Sequence, residues 1–92
     1  MAGAKLLGPT ARRMLSAGRS PEAVARWAVA ARNNLKVLAR VFTPRSEVAA
    51  MEARNLARYG NKIGPTADQL FAKYGSWDAV ISAATRTAGF FW

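Results

Sequence analysis

"SPEAVARWAVAARNNLKVLARVFTP", residues 20–44, carries a long helical pattern with a start signal at one end and a stop at the other. Ser20-Pro21-Glu22 places a capping hydroxyl, then proline at the first helical position, then an acid in the first turn, the order a helix N-terminus favours. From there Val24, Trp27, Ala28, Ala31, Leu35, Leu38 and Phe42 keep helical spacing until Thr43-Pro44. One helix over 21–42 is predicted. At 100° per residue these side chains fall in a stripe about 100° wide, with Arg26, Arg32, Asn33, Lys36 and Arg40 on the opposite side, which predicts an amphipathic helix with a cationic outer face.

The rest of the chain is punctuated in the same way. Gly8-Pro9 and Gly18 bracket a short helix over 9–17. Thr43-Pro44 is expected to cap a helix over 44–59 that Gly60 stops. Thr66 and Gln69 have capping-box spacing for a helix over 67–74 that ends at Gly75. Ser76 caps a last helix over 77–88, in which Trp77, Val80, Ile81, Ala84 and Ala88 share a face before Gly89. Nothing alternates with period two for long, so the prediction is a single all-α domain of five helices without a sheet, with residues 1–8 poorly ordered. "ARYGN" at 57–61 and "AKYGS" at 72–76 are then two helix stops of similar make. A cation near the negative end of the dipole followed by a left-handed glycine is what such a stop needs.

Composition narrows the chemistry. The 92 residues contain no cysteine and no histidine, which removes disulfides, the usual zinc sites, cysteine nucleophiles and imidazole catalysis. No window approaches the roughly 20 apolar residues of a membrane span. The formal charge is +9, and residues 1–62 hold twelve Lys/Arg against three acids, whereas residues 63–92 hold two of each. Ten of the fourteen cations are arginine, whose planar fork suits phosphate and carboxylate. A polyanion, an anionic membrane surface and an acidic protein are all admissible partners of such a surface.

Two places depart from capping and packing. In the third helix Val48, Met51, Leu56 and Tyr59 mark an apolar side, yet Glu52 and Asn55 project from its middle. Buried without partners, such groups cost several kcal/mol, and the candidate partners are the arginines: either the face is half-buried and Glu52 pairs with a neighbouring cation at its rim, or Glu52 and Asn55 line a cleft shared with the loop after Gly60. Arg54 and Arg58 repel each other at i, i+4 spacing and would tolerate an anion between them. The connection "GNKIGPT", residues 60–66, combines glycines with Asn61, Lys62 and Thr66 ahead of a helix N-terminus, a composition that serves as ordinary turn chemistry or brings amides and a cation to a phosphate. Trp27, Trp77, Phe42 and Phe71 read as core. Phe90-Phe91-Trp92 either closes the core or faces a partner.

The segment "RNLARYGNKIGPTADQLFAKYGSWDAVISAATRT", residues 54–87, resembles C-terminal toxin domains of bacterial polymorphic toxins, the exchangeable tips of contact-dependent inhibition and Rhs-type effectors. Arg-Asn, Tyr-Gly-Asn with Gly-Pro-Thr, Lys-Tyr-Gly-Ser-Trp and the final Arg-Thr carry the likeness, over a little more than a third of the chain. The resemblance implies a cargo domain secreted as part of a larger effector and acting in the target-cell cytoplasm, often as a nuclease on RNA, and neutralised in the producer by a cognate immunity protein, here expected to be acidic. The boundary motifs that precede such domains are not in these 92 residues.

Chemistry on these residues gives a first hypothesis of a metal-independent ribonuclease cleaving tRNA or rRNA. Glu52 is the candidate base, and Tyr59, Lys62 or Lys73 assist proton transfer only if surrounding charge lowers their pKa values. Arg54, Arg58 and Arg86 face the phosphorane, and Asn55, Asn61 and Thr87 orient the substrate. Arg26, Arg32, Lys36 and Arg40, with Thr66 at the loop end, would track the backbone. The acids are too scattered for a two-metal site, so neither metal nor cofactor is expected. The alternative is a non-enzymatic nucleic-acid binder, and a third reading is a membrane-active toxin. The expected state is a monomer without stable membrane insertion.

Overall fold

The computed structural model describes residues 7–86. Among these residues five α-helices follow one another: α1 (Leu7–Ser16), α2 (Pro21–Ala39), α3 (Arg45–Tyr59), α4 (Ala67–Tyr74) and α5 (Trp77–Ala84), with a 3-10 turn at Arg40–Phe42 between α2 and α3. No strand occurs among the described residues, and the all-α prediction holds. Thr87 and Phe90 to Trp92 lie outside the described residues, as do residues 1–6 of the segment expected to be poorly ordered. Leu7 and Gly8 of that segment instead belong to α1, where Leu7 is buried.

The helix ends are local chemistry. Ser20 accepts from the Ala23 amide, Ser76 accepts from the Ala79 amide, and Thr66 and Gln69 complete a reciprocal capping box. Gly60 and Gly75 end α3 and α4 at φ 78° and 85°, donating to Leu56 O and Phe71 O. The start of α3 differs from expectation. Pro44 is its N-cap and offers no side-chain bond, while the Thr43 hydroxyl turns back and donates to Ala39 O at 3.0 Å. The Thr43 amide donates to Arg40 O at 3.1 Å, closing the 3-10 turn, and α2 stops at Ala39 rather than at 42. The last helix also ends early, at Ala84, where the Thr85 hydroxyl bonds Ile81 O at 2.8 Å and competes with helix continuation.

The apolar core is made of small residues on four helices: Ala11 from α1, Val24, Ala25, Ala28 and Val29 from α2, Ala67 and Leu70 from α4, and Val80, Ile81 and Ala84 from α5. Alanine on both sides lets α2 and α5 approach closely, and that pair forms the main packing of the fold. Met14, Leu15, Trp27 and Trp77 cover its margin, and Phe71 lies against Trp77 with ring centroids 4.3 Å apart. Arg26 staples the outside of this body. It pairs with Glu22 at 3.1 Å and Asp68 at 2.9 Å, and lies 5.2 Å from the Trp77 ring centroid.

The third helix stands apart. Among the described residues it contributes nothing to the apolar core and enters none of the main helix packings, and its one buried residue is Asn55. Val48 and Met51 are half-buried, and Leu56 is exposed. Among the described residues, hydrogen bonds and an ion pair tie α3 to the 3-10 turn, the following loop and α4.

The second half of α2 corrects the predicted orientation. Arg32 and Lys36, expected on a cationic outer face, are 1% and 3% exposed. Leu38 and Phe42, expected in the core stripe, are 64% and 90% exposed. The inward row continues from Val24 and Ala28 through Arg32 and Lys36 at four-residue spacing. What lies opposite decides the matter: beyond Ala28 the row meets the C-terminal end of α5, whose carbonyls need donors that an aliphatic side chain lacks.

Candidate functional site

Arg32 supplies those donors. Its Nη1 donates to Arg86 O at 2.8 Å and to Ala84 O at 3.4 Å, tying the middle of α2 to the end of α5. Burial and the nearby charge of Arg86 lower its pKa. One turn on, Lys36 is buried beside three further cations. Its pKa falls from 10.5 to about 8, first because burial disfavours the ammonium and then because Arg32, Arg40 and Arg54 repel it. Arg54 comes from α3, so the charges of two helices act on one amine. This cluster of Arg32, Lys36, Arg40, Arg54 and Arg86 is the main electrostatic feature that distance in sequence had hidden.

Arg40, in the 3-10 turn, organises the edge of the cluster. Its Nη1 donates to Glu52 Oε2 at 3.2 Å and its Nη2 to Lys62 O at 2.8 Å. The Arg40 and Glu52 side chains are 12% and 32% exposed, so this pair is more sheltered than an ordinary surface ion pair. Asn55 Nδ2 donates to the same Lys62 carbonyl at 2.9 Å. The two polar residues that interrupt the apolar side of α3 thus face the body and the loop after Gly60. The cation beside Glu52 is Arg40, from the preceding turn, rather than Arg54 or Arg58 on its own helix.

The loop itself is folded on its own side chains. Asn61 Oδ1 accepts from the amides of Ile63 and Gly64, both at 2.9 Å, and the Thr66 amide donates to Gln69 Oε1 at 2.9 Å. Gln69 Nε2 reaches Tyr59 O at 3.0 Å, and Asn33 Nδ2 reaches Pro65 O at 3.1 Å. These amides therefore stabilise a turn, and the loop's contribution to the cluster is the Lys62 carbonyl.

The predicted site residues fall into three groups. Arg32, Lys36, Arg40, Glu52, Arg54 and Arg86 come together. Asn55, Tyr59, Asn61, Lys62 and Thr66 support the adjoining loop, and the Lys62 side chain is exposed. Arg26 is engaged with acids on α2 and α4, Arg58 is exposed on α3, and Lys73 is exposed on α4 beside the Tyr74 ring at 5.4 Å. Thr87 lies outside the described residues. Comparison of the chain with protein-family models, with curated proteins and with solved structures finds no match. Among the described residues no helix is long and apolar enough to cross a membrane.

Proposed function

We propose that this domain acts on RNA as a metal-independent ribonuclease of the polymorphic-toxin kind, holding the phosphodiester at the cluster around Arg40. The observation that carries this reading is a group of five cations from three parts of the chain, in which Arg86 acts on Arg32, and Arg32, Arg40 and Arg54 act on Lys36, with Arg40 ion-paired to Glu52 at its edge. An anion offsets positive charge gathered in this way, and a phosphodiester suits the arginine forks.

The residues fit the two proton tasks of 2′-OH attack. Glu52, released from Arg40 as that arginine moves to the phosphate, takes the 2′-OH proton. The 2′-oxygen bonds to phosphorus, and the bond from phosphorus to the 5′-oxygen breaks. Lys36, whose pKa of about 8 leaves it mostly protonated yet a ready donor near neutrality, gives its proton to the departing oxygen. Arg40 and Arg54 offset charge on the phosphorane. In a bacterial effector such an activity calls for an acidic immunity partner, which an adjacent acidic open reading frame would supply.

The test is incubation of total RNA with the protein in excess chelator, repeated with Glu52→Gln and Lys36→Ala. Fragments ending in cyclic 2′,3′-phosphate with wild type, and their loss in both folded variants, are expected. Intact RNA throughout overturns the catalytic assignment. The ion pair of Glu52 with Arg40 favours a second reading, a non-enzymatic nucleic-acid binder, because it engages the candidate base. That reading predicts binding without cleavage that weakens steeply with salt.

A further inference from the structure

We propose that the end of α2 and the 3-10 turn after it form a peripheral docking tip for an anionic phospholipid surface, with Val41 and Phe42 entering the interface. This goes beyond the reaction proposed above and does not depend on it.

The tip follows from the inversion of α2. From residue 30 to 42 the exposed positions are Ala30, Asn34, Val37, Leu38, Val41 and Phe42. None of them is charged. The three cations of the stretch turn inward instead: Arg32 and Lys36 are buried, and the Arg40 side chain is held by Glu52 and the Lys62 carbonyl. Exposure of the large apolar side chains rises along the chain, from 38% at Val37 through 64% at Leu38 and 79% at Val41 to 90% at Phe42. A steady rise of this kind marks a projecting end rather than a flat face. At that exposure Phe42 adds almost no burial to the fold, and neighbouring large apolar side chains left in water mark an interaction surface.

Charge and shape choose among the occupants. The chain carries +9, with twelve Lys/Arg against three acids up to residue 62, and Arg45, exposed, opens α3 three residues after Phe42. Two copies of so cationic a chain repel each other, and two projecting ends meet over little area, which disfavours a second copy. A nucleic acid suits the charge, but its backbone is held by cations and hydrogen-bond donors, which these four side chains lack. A protein interface of standard size takes about 800 Å² from each partner, against a few hundred Å² in a patch of this kind. A bilayer needs neither a matching pocket nor a minimum area. Its anionic headgroups attract the net positive charge, while the acyl boundary takes up aliphatic and aromatic side chains from the tip. The contact involves one helix end and crosses nothing.

The test sediments the full chain with vesicles of phosphatidylserine and phosphatidylcholine in equal parts, and with vesicles of phosphatidylcholine alone. Binding to the mixed vesicles that weakens with salt, and little binding to the neutral ones, is expected. Phe42→Ser and Val41→Ser, both at exposed positions, lower the partition coefficient by about tenfold each, the order of burying one such side chain, without moving the urea midpoint. Phe42→Leu, apolar at the same place, retains most of the binding. The proposal is overturned if neither vesicle binds, or if neutral vesicles bind equally. It is overturned too if the serine variants bind anionic vesicles as wild type does, because the attraction is then charge alone and the patch is left to a protein partner. Sedimentation equilibrium without lipid tests the remaining occupant: a wild-type dimer that Phe42→Ser dissociates assigns the patch to a second copy and overturns the membrane assignment.

Discussion

Replacing Lys36 by methionine isolates the cost of placing an ammonium in this cluster. The folded protein holds that proton with a pKa of about 8 against 10.5 for the free side chain. Between those values the unfolded chain binds the proton and the folded chain does not, so stability rises with pH across the window. The full shift corresponds to about 3 kcal/mol of penalty below pH 8, at about 1.4 kcal/mol per unit. Between about pH 7.5 and 9.5, linkage relieves about 2 kcal/mol of it. Urea unfolding followed by circular dichroism measures this directly, whereas a guanidinium salt would screen the repulsion under test. Wild type is expected to gain about 2 kcal/mol relative to Lys36→Met over that interval, since the other titrating groups are common to both. Parallel pH profiles for the two proteins would refute the reasoning, because they would mean that the amine is neither desolvated nor repelled to the stated degree.

Three further outcomes follow from the geometry. Asn55→Ala, which leaves Lys62 O with one donor fewer and removes the one buried side chain of α3, is expected to cost about 1–2 kcal/mol in the same urea assay. At Gly75, φ is +85° and an added Cβ meets nothing within 4 Å, so Gly75→Ala costs about 1 kcal/mol of conformational strain alone and Gly75→Asn recovers much of it. Phe42→Ser, at a position 90% exposed, is expected to change stability by less than about 0.5 kcal/mol; a loss of several kcal/mol would show that the side chain is core after all.

The parts of the fold legible in the sequence are those whose physics is local. Ser20, Thr66 with Gln69, and Ser76 begin their helices, and Gly60 and Gly75 end theirs, because a cap satisfies amides or carbonyls only a few residues away. Thr43 was misleading for a related reason. Its hydroxyl had two nearby options, and it took the carbonyl four residues back over the amides ahead. The orientation of α2 beyond Ala28 was not legible, because its deciding partners, Ala84 O and Arg86 O, lie 52 and 54 residues further along the chain. A hydrophobic stripe is a reliable guide only while the opposing surface is apolar, and here that surface changes to helix-end carbonyls halfway along.

For the candidate site, the sequence exposed the need and hid the supplier. Glu52 and Asn55 were visible as polar interruptions on an apolar face, which implied partners. That Arg40 would be the cation required knowing that the chain reverses through a 3-10 turn and brings α3 back past it. The row Val24, Ala28, Arg32, Lys36, Arg40 did carry a hint. At four-residue spacing it runs unbroken from the core into the cations, and side chains in such a row lie near one another on the same side of a helix.

That row carries a cost in stability. The core is built largely of alanine and valine, so the chain has little apolar burial in reserve, and small domains hold only about 5–15 kcal/mol in total. Against that margin, about 3 kcal/mol for one buried lysine at neutral pH is a large standing cost. Arg32 has a structural return for its burial in the α5 carbonyls. Repulsion from Arg32, Arg40 and Arg54 adds to that cost, and an anion near these cations lowers it. Binding then returns the repulsion as affinity, and the ligand with the most to gain is the one that reaches several of these cations at once. A phosphate meets that condition, and an isolated carboxylate such as Glu52 meets only part of it.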